Sequence, residues 1–282
     1  MGEIVINWHI TQKCNYKCYY CFAKYENEIS NEVCCSKSDT ELLLKRVFTF
    51  FVDKYKTQNI RLNIVGGEPT LSKNIDFIIQ KAYHIGFRVS IITNGSKISK
   101  SFLETNTRFI SLFAFSIDSI DSETNKLIGR SQNNRTIKDW EILNLIENIR
   151  SLNKHVNIKI NTVVNKNNYR EYMGDFINTI HPNKWKIFQA LPINSDEIYC
   201  TNEQFNIFLK NHKNTIITPY KEHNEDMINS YIMIDPYGRF YQNTHYIHSY
   251  SKSILEIPIK KAFDSISFNI DKFKKRYINE KN

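Results

Sequence analysis

No stretch of this 282-residue sequence approaches the roughly eighteen consecutive apolar residues that a membrane-crossing helix needs. The opening "MGEIVINWHI" lacks the basic, apolar and small-residue zones of a secretory signal. Position 6 lacks the Ser or Thr of a myristoylation signal, since Ile6 stands there. Glycine- or serine-rich linkers, internal repeats and low-complexity tails are missing too, which argues for one folded unit. The formal charge is +9, yet the lysines are scattered and no dense basic tract exceeds "DKFKKR" near the end. Direct nucleic-acid binding is therefore not expected, whereas a small polyanion such as a nucleotide triphosphate suits the charge. Cysteine is scarce: of six residues, only Cys200 lies beyond position 35. A cytoplasmic protein with no membrane attachment is expected, and there clustered thiols favour metal over disulfide.

What is present is an alternation. "EIVINWHI" predicts a strand and "TELLLKRVFTFFVDKY" an amphipathic helix. "IRLNIV", "FRVSIIT" and "FISLFAFS" predict further strands, with "NIDFIIQKAYHIG" and "KSFLET" as the helices between them. "TIKDWEILNLIENIRSLN" and "YREYMGDFINTIH" predict helices, "HVNIKINTVV" and "KWKIFQAL" strands. Six such β-α repeats argue for an α/β fold on a parallel sheet, open or curled into part of a barrel. After Leu191 the rhythm changes to a helix, "EQFNIFLKNHK", then a hairpin, "SYIMIDPYGRFYQN", and short basic helices. We expect residues 1–191 to form the barrel core and 192–282 to cap the same domain.

Half of the cysteines fall in "CNYKCYYCF", residues 14 to 22, with spacing C-x3-C-x2-C. A structural zinc site wants four ligands in two close pairs, and no second pair is placed to complete one. Thiolate is the standard ligand of an iron–sulfur cluster, and three on a four-iron cube leave one iron open. Cys34, Cys35 and Cys200 read more simply as buried small apolar residues. Three other polar motifs follow predicted strands: "VGGEP" with Gly66, Gly67 and Glu68, "TNG" with Asn94 and Gly95, and "FSIDS" with Ser116 and Asp118. In barrels of parallel strands the chemistry sits at that rim.

The cysteine spacing, with aromatic Tyr20 before the last cysteine, resembles the signature of the radical S-adenosylmethionine (radical SAM) enzymes. The resemblance implies a partial (β/α)6 TIM-like barrel with a C-terminal cap. It implies a [4Fe–4S] cluster on Cys14, Cys18 and Cys21, whose open iron is chelated by S-adenosylmethionine. Tyr20, Gly66, Gly67, Glu68, Asn94, Ser116 and Arg130 are the implied cofactor-binding residues. Among them Glu68 would hold the methionyl amino group and Arg130 the carboxylate.

Longer stretches narrow the resemblance. "NWHITQKCNYKCYYCF", "NIVGGEPTL", "FSIDSIDSETNKLIGR", "KWKIFQAL" and "SYIMIDPYGRF" are similar to the viperin family, in its order, from about residue 5 to residue 276. Viperins convert a ribonucleoside triphosphate (CTP, UTP or GTP) to its 3′-deoxy-3′,4′-didehydro form. The C4′ hydrogen is abstracted, the 3′-hydroxyl leaves as water, and the product terminates RNA synthesis in antiviral defence. A flavodoxin- or ferredoxin-like electron donor is implied. A membrane-anchoring helix of the animal type is not expected.

A triphosphate needs cations held in fixed geometry. Lys159 and Asn161 sit two apart in one predicted strand and so share a face, as do Lys184 and Lys186 about Trp185. Outward lysines would be buried under the covering helices, which favours an inward orientation, above all for Lys159 and Lys186. Arg61 and Asn63 share a face in the same way. With Asn7, His248 and Arg276 they match family positions near the nucleotide. Tyr231 matches a tyrosine that passes hydrogen to the product radical, the implied catalytic residue.

Departures from the family are Phe22-Ala23-Lys24 where Phe-His-Thr is common, and His248 where animal viperins carry lysine. Base preference is therefore not carried over. Two rivals are a radical enzyme acting on a peptide or other small metabolite, and a non-catalytic metal-binding module that recruits nucleic acid. Peptide modifiers typically add a cysteine-rich C-terminal region, which this sequence lacks.

Overall fold

Every residue of the first strand, β1 (Ile4–His9), is buried in the computed structural model, as a strand inside a covered parallel sheet should be. The structure describes residues 2–23, 31–193 and 197–278; Lys24, one of the departures above, lies outside them. Ser36 starts α1 (Lys37–Tyr55) by accepting the Asp39 amide, and Lys56 ends it in the left-handed region. Leu43, Leu44, Val47 and Phe51 of α1 join Ile4, Ile6 and Trp8 in one apolar core. That leaves Val5, Asn7 and His9 on the opposite face of β1.

The predicted alternation follows. It comprises β2 (Ile60–Val65), α2 (Ile75–Ile85), β3 (Arg88–Thr93), α3 (Lys100–Asn106) and β4 (Ile110–Ser116). Then come α4 (Ser122–Leu127), α5 (Asp139–Leu152), β5 (Asn157–Val164), α6 (Gly174–Ile180) and β6 (Lys184–Gln189). Strands β1 to β6 pair in parallel and in sequence order. The helix expected from Tyr169 begins only at Gly174. Asn165 and Asn168 spend the preceding residues on a turn, the Asn168 side chain accepting the Asn165 amide at 2.7 Å.

Beyond Leu191 the chain adds α7 (Asn202–Asn211), β7 (Tyr220–Glu222), α8 (Asn224–Met227) and β8 (Ile232–Ile234). It ends with β9 (Arg239–Thr244), β10 (Ile247–Ser253), α9 (Ile259–Asp264) and α10 (Ile270–Ile278). The expected hairpin is β8–β9, its turn closed by the Asp235 carboxylate, which accepts the Tyr237 and Arg239 amides. Two strands were not expected. β7 pairs in parallel with β6, and β10 pairs with β9. The described strands form one sheet in the order β10-β9-β8-β1-β2-β3-β4-β5-β6-β7, so the segment after 191 supplies both of its edges. No helix of the described residues is long and apolar enough to cross a membrane.

Candidate active site

The cysteine loop leaves β1 and is gripped by backbone from two sides. The Gly67 amide donates to the Thr11 carbonyl at 2.7 Å, and the Glu68 amide to the Lys13 carbonyl at 2.8 Å. A Cβ on Gly67 would stand 2.6 Å from the Gln12 carbonyl oxygen. Opposite, the Lys17 amide donates to the Gly129 carbonyl at 2.9 Å. Gly129 has a φ of +83°, and a Cβ there would come within 2.7 Å of the Lys17 carbonyl carbon. Glycine alone permits this approach without shifting the loop. Side chains complete the grip: Asn94 donates to the Asn15 carbonyl oxygen at 3.0 Å, and Asn15 donates to Ser96 at 2.9 Å.

Cys14 is exposed, and Cys18 and Cys21 are half-buried; none of the three is in a disulfide. They lie near enough to perturb one another's ionisation. Three thiol donors match a [4Fe–4S] cluster with one open corner, whereas structural zinc wants four ligands. Cys34 and Cys200 are buried as expected, but Cys35 is exposed. It ends the short 3-10 turn Val33–Cys35, which directs it outward.

The residues expected to hold S-adenosylmethionine surround this loop. Glu68 is fully buried, and both of its oxygens are engaged. One accepts from the Thr70 hydroxyl at 2.6 Å and the Thr93 hydroxyl at 2.7 Å, the other from the Asn94 amide at 2.8 Å. Burial raises its pKa against these hydrogen bonds. Its carboxylate here ties the "VGGEP" loop to the "TNG" loop. Arg130, also buried, donates to Asp118 at 2.9 Å and to the Ser116 carbonyl. The same Asp118 oxygen accepts from Tyr20 at 2.5 Å, while the other accepts the Val163 amide at 2.7 Å. Burial opposes the Arg130 charge, but the Asp118 carboxylate more than offsets it and raises the pKa. Gly129 is thus the rim group that the motifs did not reveal, while Asp118 of "FSIDS" proves to be the carboxylate that holds Arg130 and Tyr20.

Strand register brings most of the expected nucleotide residues onto one face of the sheet. Asn7 pairs with Asn63, Lys159 with Lys184 and Asn161 with Lys186, so each pair projects the same way as the polar side of β1. Asn63 donates to Asn7 at 2.8 Å and accepts from Ser90. Asn161 is 7% exposed, and its side-chain oxygen has no hydrogen-bond partner among the described residues. A buried acceptor left so is costly unless a ligand supplies the donor. Arg61 shares the face but sits at the start of β2, ion-paired with Glu3 at 3.1 Å. Its charge is thus met by Glu3 in this structure. Lys184 lies 4.2 Å over the Tyr220 ring.

His248 stands among the rings of Phe22, Tyr241 and Tyr250. Beside Tyr241 lies His9, whose pKa burial and His248 lower to about 3. Phe22, directly after the last cysteine of the loop, packs on both β8–β9 and the segment after β6.

One cluster was not foreseen. Glu222 of β7, 7% exposed, accepts from Lys186 and, through the same oxygen, from Arg276 at 2.9 Å; its second oxygen accepts from Tyr231. Burial works against the Glu222 charge, and Lys186 and Arg276 overcome it, so its pKa falls below the usual value. The Arg276 guanidinium lies 3.6 Å over the Tyr231 ring and donates to the Asp226 carbonyl and the Ser230 hydroxyl, both at 2.7 Å. Arg276 is thus a buried clamp, not the exposed tail residue that its position near the end invites. Nothing in "YKEH" marks Glu222 in advance, since a three-residue strand shows no periodicity.

Residues 8–180 match the model of the Radical SAM superfamily. The chain is 39% identical over 283 residues to an S-adenosylmethionine-dependent nucleotide dehydratase of Psychrobacter lutiphocae, covering 98% of this chain and 95% of that protein. It is 38% identical to the protein of the same name from Flammeovirga pacifica, covering 95% and 92% respectively. Among solved structures it resembles native anSMEcpe with bound AdoMet and the Kp18Cys peptide, with a TM-score of 0.71 and 16% identity over 97% of this chain and 82% of that one. At that identity the likeness concerns the fold alone.

Proposed function

Since the chain belongs to the radical SAM superfamily, and within it to the S-adenosylmethionine-dependent nucleotide dehydratases, we propose that its substrate is a ribonucleoside triphosphate: CTP, UTP or GTP. It is a radical SAM enzyme of the viperin type, using a [4Fe–4S] cluster and S-adenosylmethionine. Cys14, Cys18 and Cys21 would hold the cluster, which with S-adenosylmethionine would supply the hydrogen-abstracting radical chemistry. The substrate loses its C4′ hydrogen atom, its 3′-hydroxyl leaves with a proton as water, and one electron completes the 3′,4′-didehydro product. That product lacks a 3′-hydroxyl and would end an RNA chain, which suits antiviral defence. A flavodoxin- or ferredoxin-like protein would supply the electron, in the reducing cytoplasm that keeps thiols out of disulfides.

The observation that carries the triphosphate reading is the lysine ladder. Lys159, Lys184 and Lys186 stand on one face of neighbouring strands, with the open acceptor of Asn161 beside Lys186. A polyanion meets the cations while a ribose hydroxyl donates to Asn161. Asn7 and Asn63 would hold the sugar on the same face, and His248 with its aromatic neighbours would face the base. Tyr20, Gly66, Gly67, Glu68, Asn94, Ser116 and Arg130 would frame S-adenosylmethionine, with Glu68 shaping the loops whose backbone meets it. Tyr231 would supply the last reducing equivalent. Anaerobic incubation of the reconstituted protein with each of the four triphosphates tests this. The expected product is lighter by one water, together with 5′-deoxyadenosine; formation of neither with any triphosphate refutes it.

A further inference from the structure

Tyr231 is fixed more completely than a packing residue requires. Arg276 covers its ring, Gln242 donates to its carbonyl at 2.5 Å, and its hydroxyl donates to Glu222. Glu222 meets Tyr231, Lys186 and Arg276 at once, and so ties edge strand β7 to β6, to the residue before β8 and to α10. A phenol hydrogen-bonded to a buried carboxylate has a proton acceptor in place before any redox event.

Resting on the dehydratase reading above, we propose that Glu222 is a positioning residue that takes the phenolic proton of Tyr231 when Tyr231 reduces the substrate. After loss of the C4′ hydrogen and the 3′-hydroxide, the nucleotide is one electron short of product. Tyr231 gives that electron, its O–H bond breaks, and an O–H bond forms on Glu222, leaving a neutral phenoxyl and a carboxylic acid. An oxidised phenol is a strong acid, so even a carboxylate stabilised by two cations accepts its proton. The flavodoxin- or ferredoxin-like protein then returns one electron to the phenoxyl, and Glu222 returns the proton. Lys186 and Arg276 keep the carboxylate ionised and ready, while moving no proton themselves.

The test compares wild type, Glu222→Gln, Tyr231→Phe and the double variant. Each is assayed for 5′-deoxyadenosine and dehydrated nucleotide from CTP, UTP and GTP, with iron content and thermal midpoint measured alongside. Glutamine keeps the shape but is a far weaker base. Nucleotide-dependent 5′-deoxyadenosine should persist in E222Q while dehydrated nucleotide per 5′-deoxyadenosine falls about tenfold or more, as in Y231F, with no further fall in the double variant. An E222Q ratio equal to wild type overturns the proposal, as does a parallel loss of both products, which marks a purely structural role. Should E222Q not fold, Glu222→Asp, which keeps the charge but shortens the reach, is expected to show the same uncoupling, and a fully coupled E222D overturns it. Absence of dehydrated nucleotide from the wild type would instead refute the dehydratase reading itself.

Discussion

The two ends of this site are built by different physics. The cysteine loop is held by backbone hydrogen bonds and glycine contacts, with Gly67 against Gln12–Lys13 and Gly129 against Lys17. The opposite end, at β6, β7 and α10, is held by charge, three buried ionic groups meeting at Glu222. A cluster needs ligands that stay in place whatever its redox state, and hydrogen-bonded backbone provides that stiffness. A polyanionic substrate that comes and goes needs cations, and buried cations need a resident counter-charge when the substrate is away. The comparison predicts that damage at one end should leave the other intact.

The sharpest break is at the thiols. Alanine at Cys14, Cys18 or Cys21 should abolish turnover and lower iron from about four per chain towards background after anaerobic reconstitution. The nucleotide should still bind, as equilibrium dialysis can check. Next comes the grip itself. Gly129→Ala forces a side chain into a left-handed conformation and onto the Lys17 backbone, at a cost of about 2–5 kcal/mol. The thermal midpoint and cluster content should fall together. A third test works from the other end: Lys159→Ala removes one charge-assisted contact, about 1.5–3 kcal/mol. KM for the triphosphate should rise about tenfold or more, with iron content unchanged.

The same division explains what the sequence made legible. Motifs at the cluster end are contiguous, because backbone grips act between short neighbouring segments. "CNYKCYYCF", "VGGEP" and "TNG" therefore announced Cys14, Gly67 and Asn94 directly. Gly129 was harder to see, since its close approach to Lys17 exists only once the loops are folded together. At the other end Lys159 and Lys186 followed from strand periodicity, which fixes a face without fixing a partner. Glu222 was invisible because its partners, Lys186, Tyr231 and Arg276, come from a strand, a hairpin and a terminal helix far apart in the chain. Strand β7 was missed for the same reason, as its three residues gain their ladder only from β6. Arg61 shows the limit of periodicity, which gives its face but not its ion pair with Glu3.

The smallest expected effect separates two of the buried carboxylates, Glu222 and Glu68, by sign. Glu222 has a folded pKa below the ordinary glutamate value of about 4.5, because Lys186 and Arg276 outweigh burial. Its stabilisation is complete above about pH 4.5 and is lost as pH falls through the depressed folded value. Glu68 has a folded pKa above 4.5, because burial outweighs its hydroxyl and amide donors. Its contribution is complete below about pH 4.5 and shrinks as pH rises through the raised folded value. Urea unfolding of wild type, E222Q and Glu68→Gln between pH 4 and 7 reads this out. The stability gap between wild type and E222Q should widen with rising pH, and that between wild type and E68Q should narrow. Equal slopes would mean that one physics, not two, holds both ends of the site.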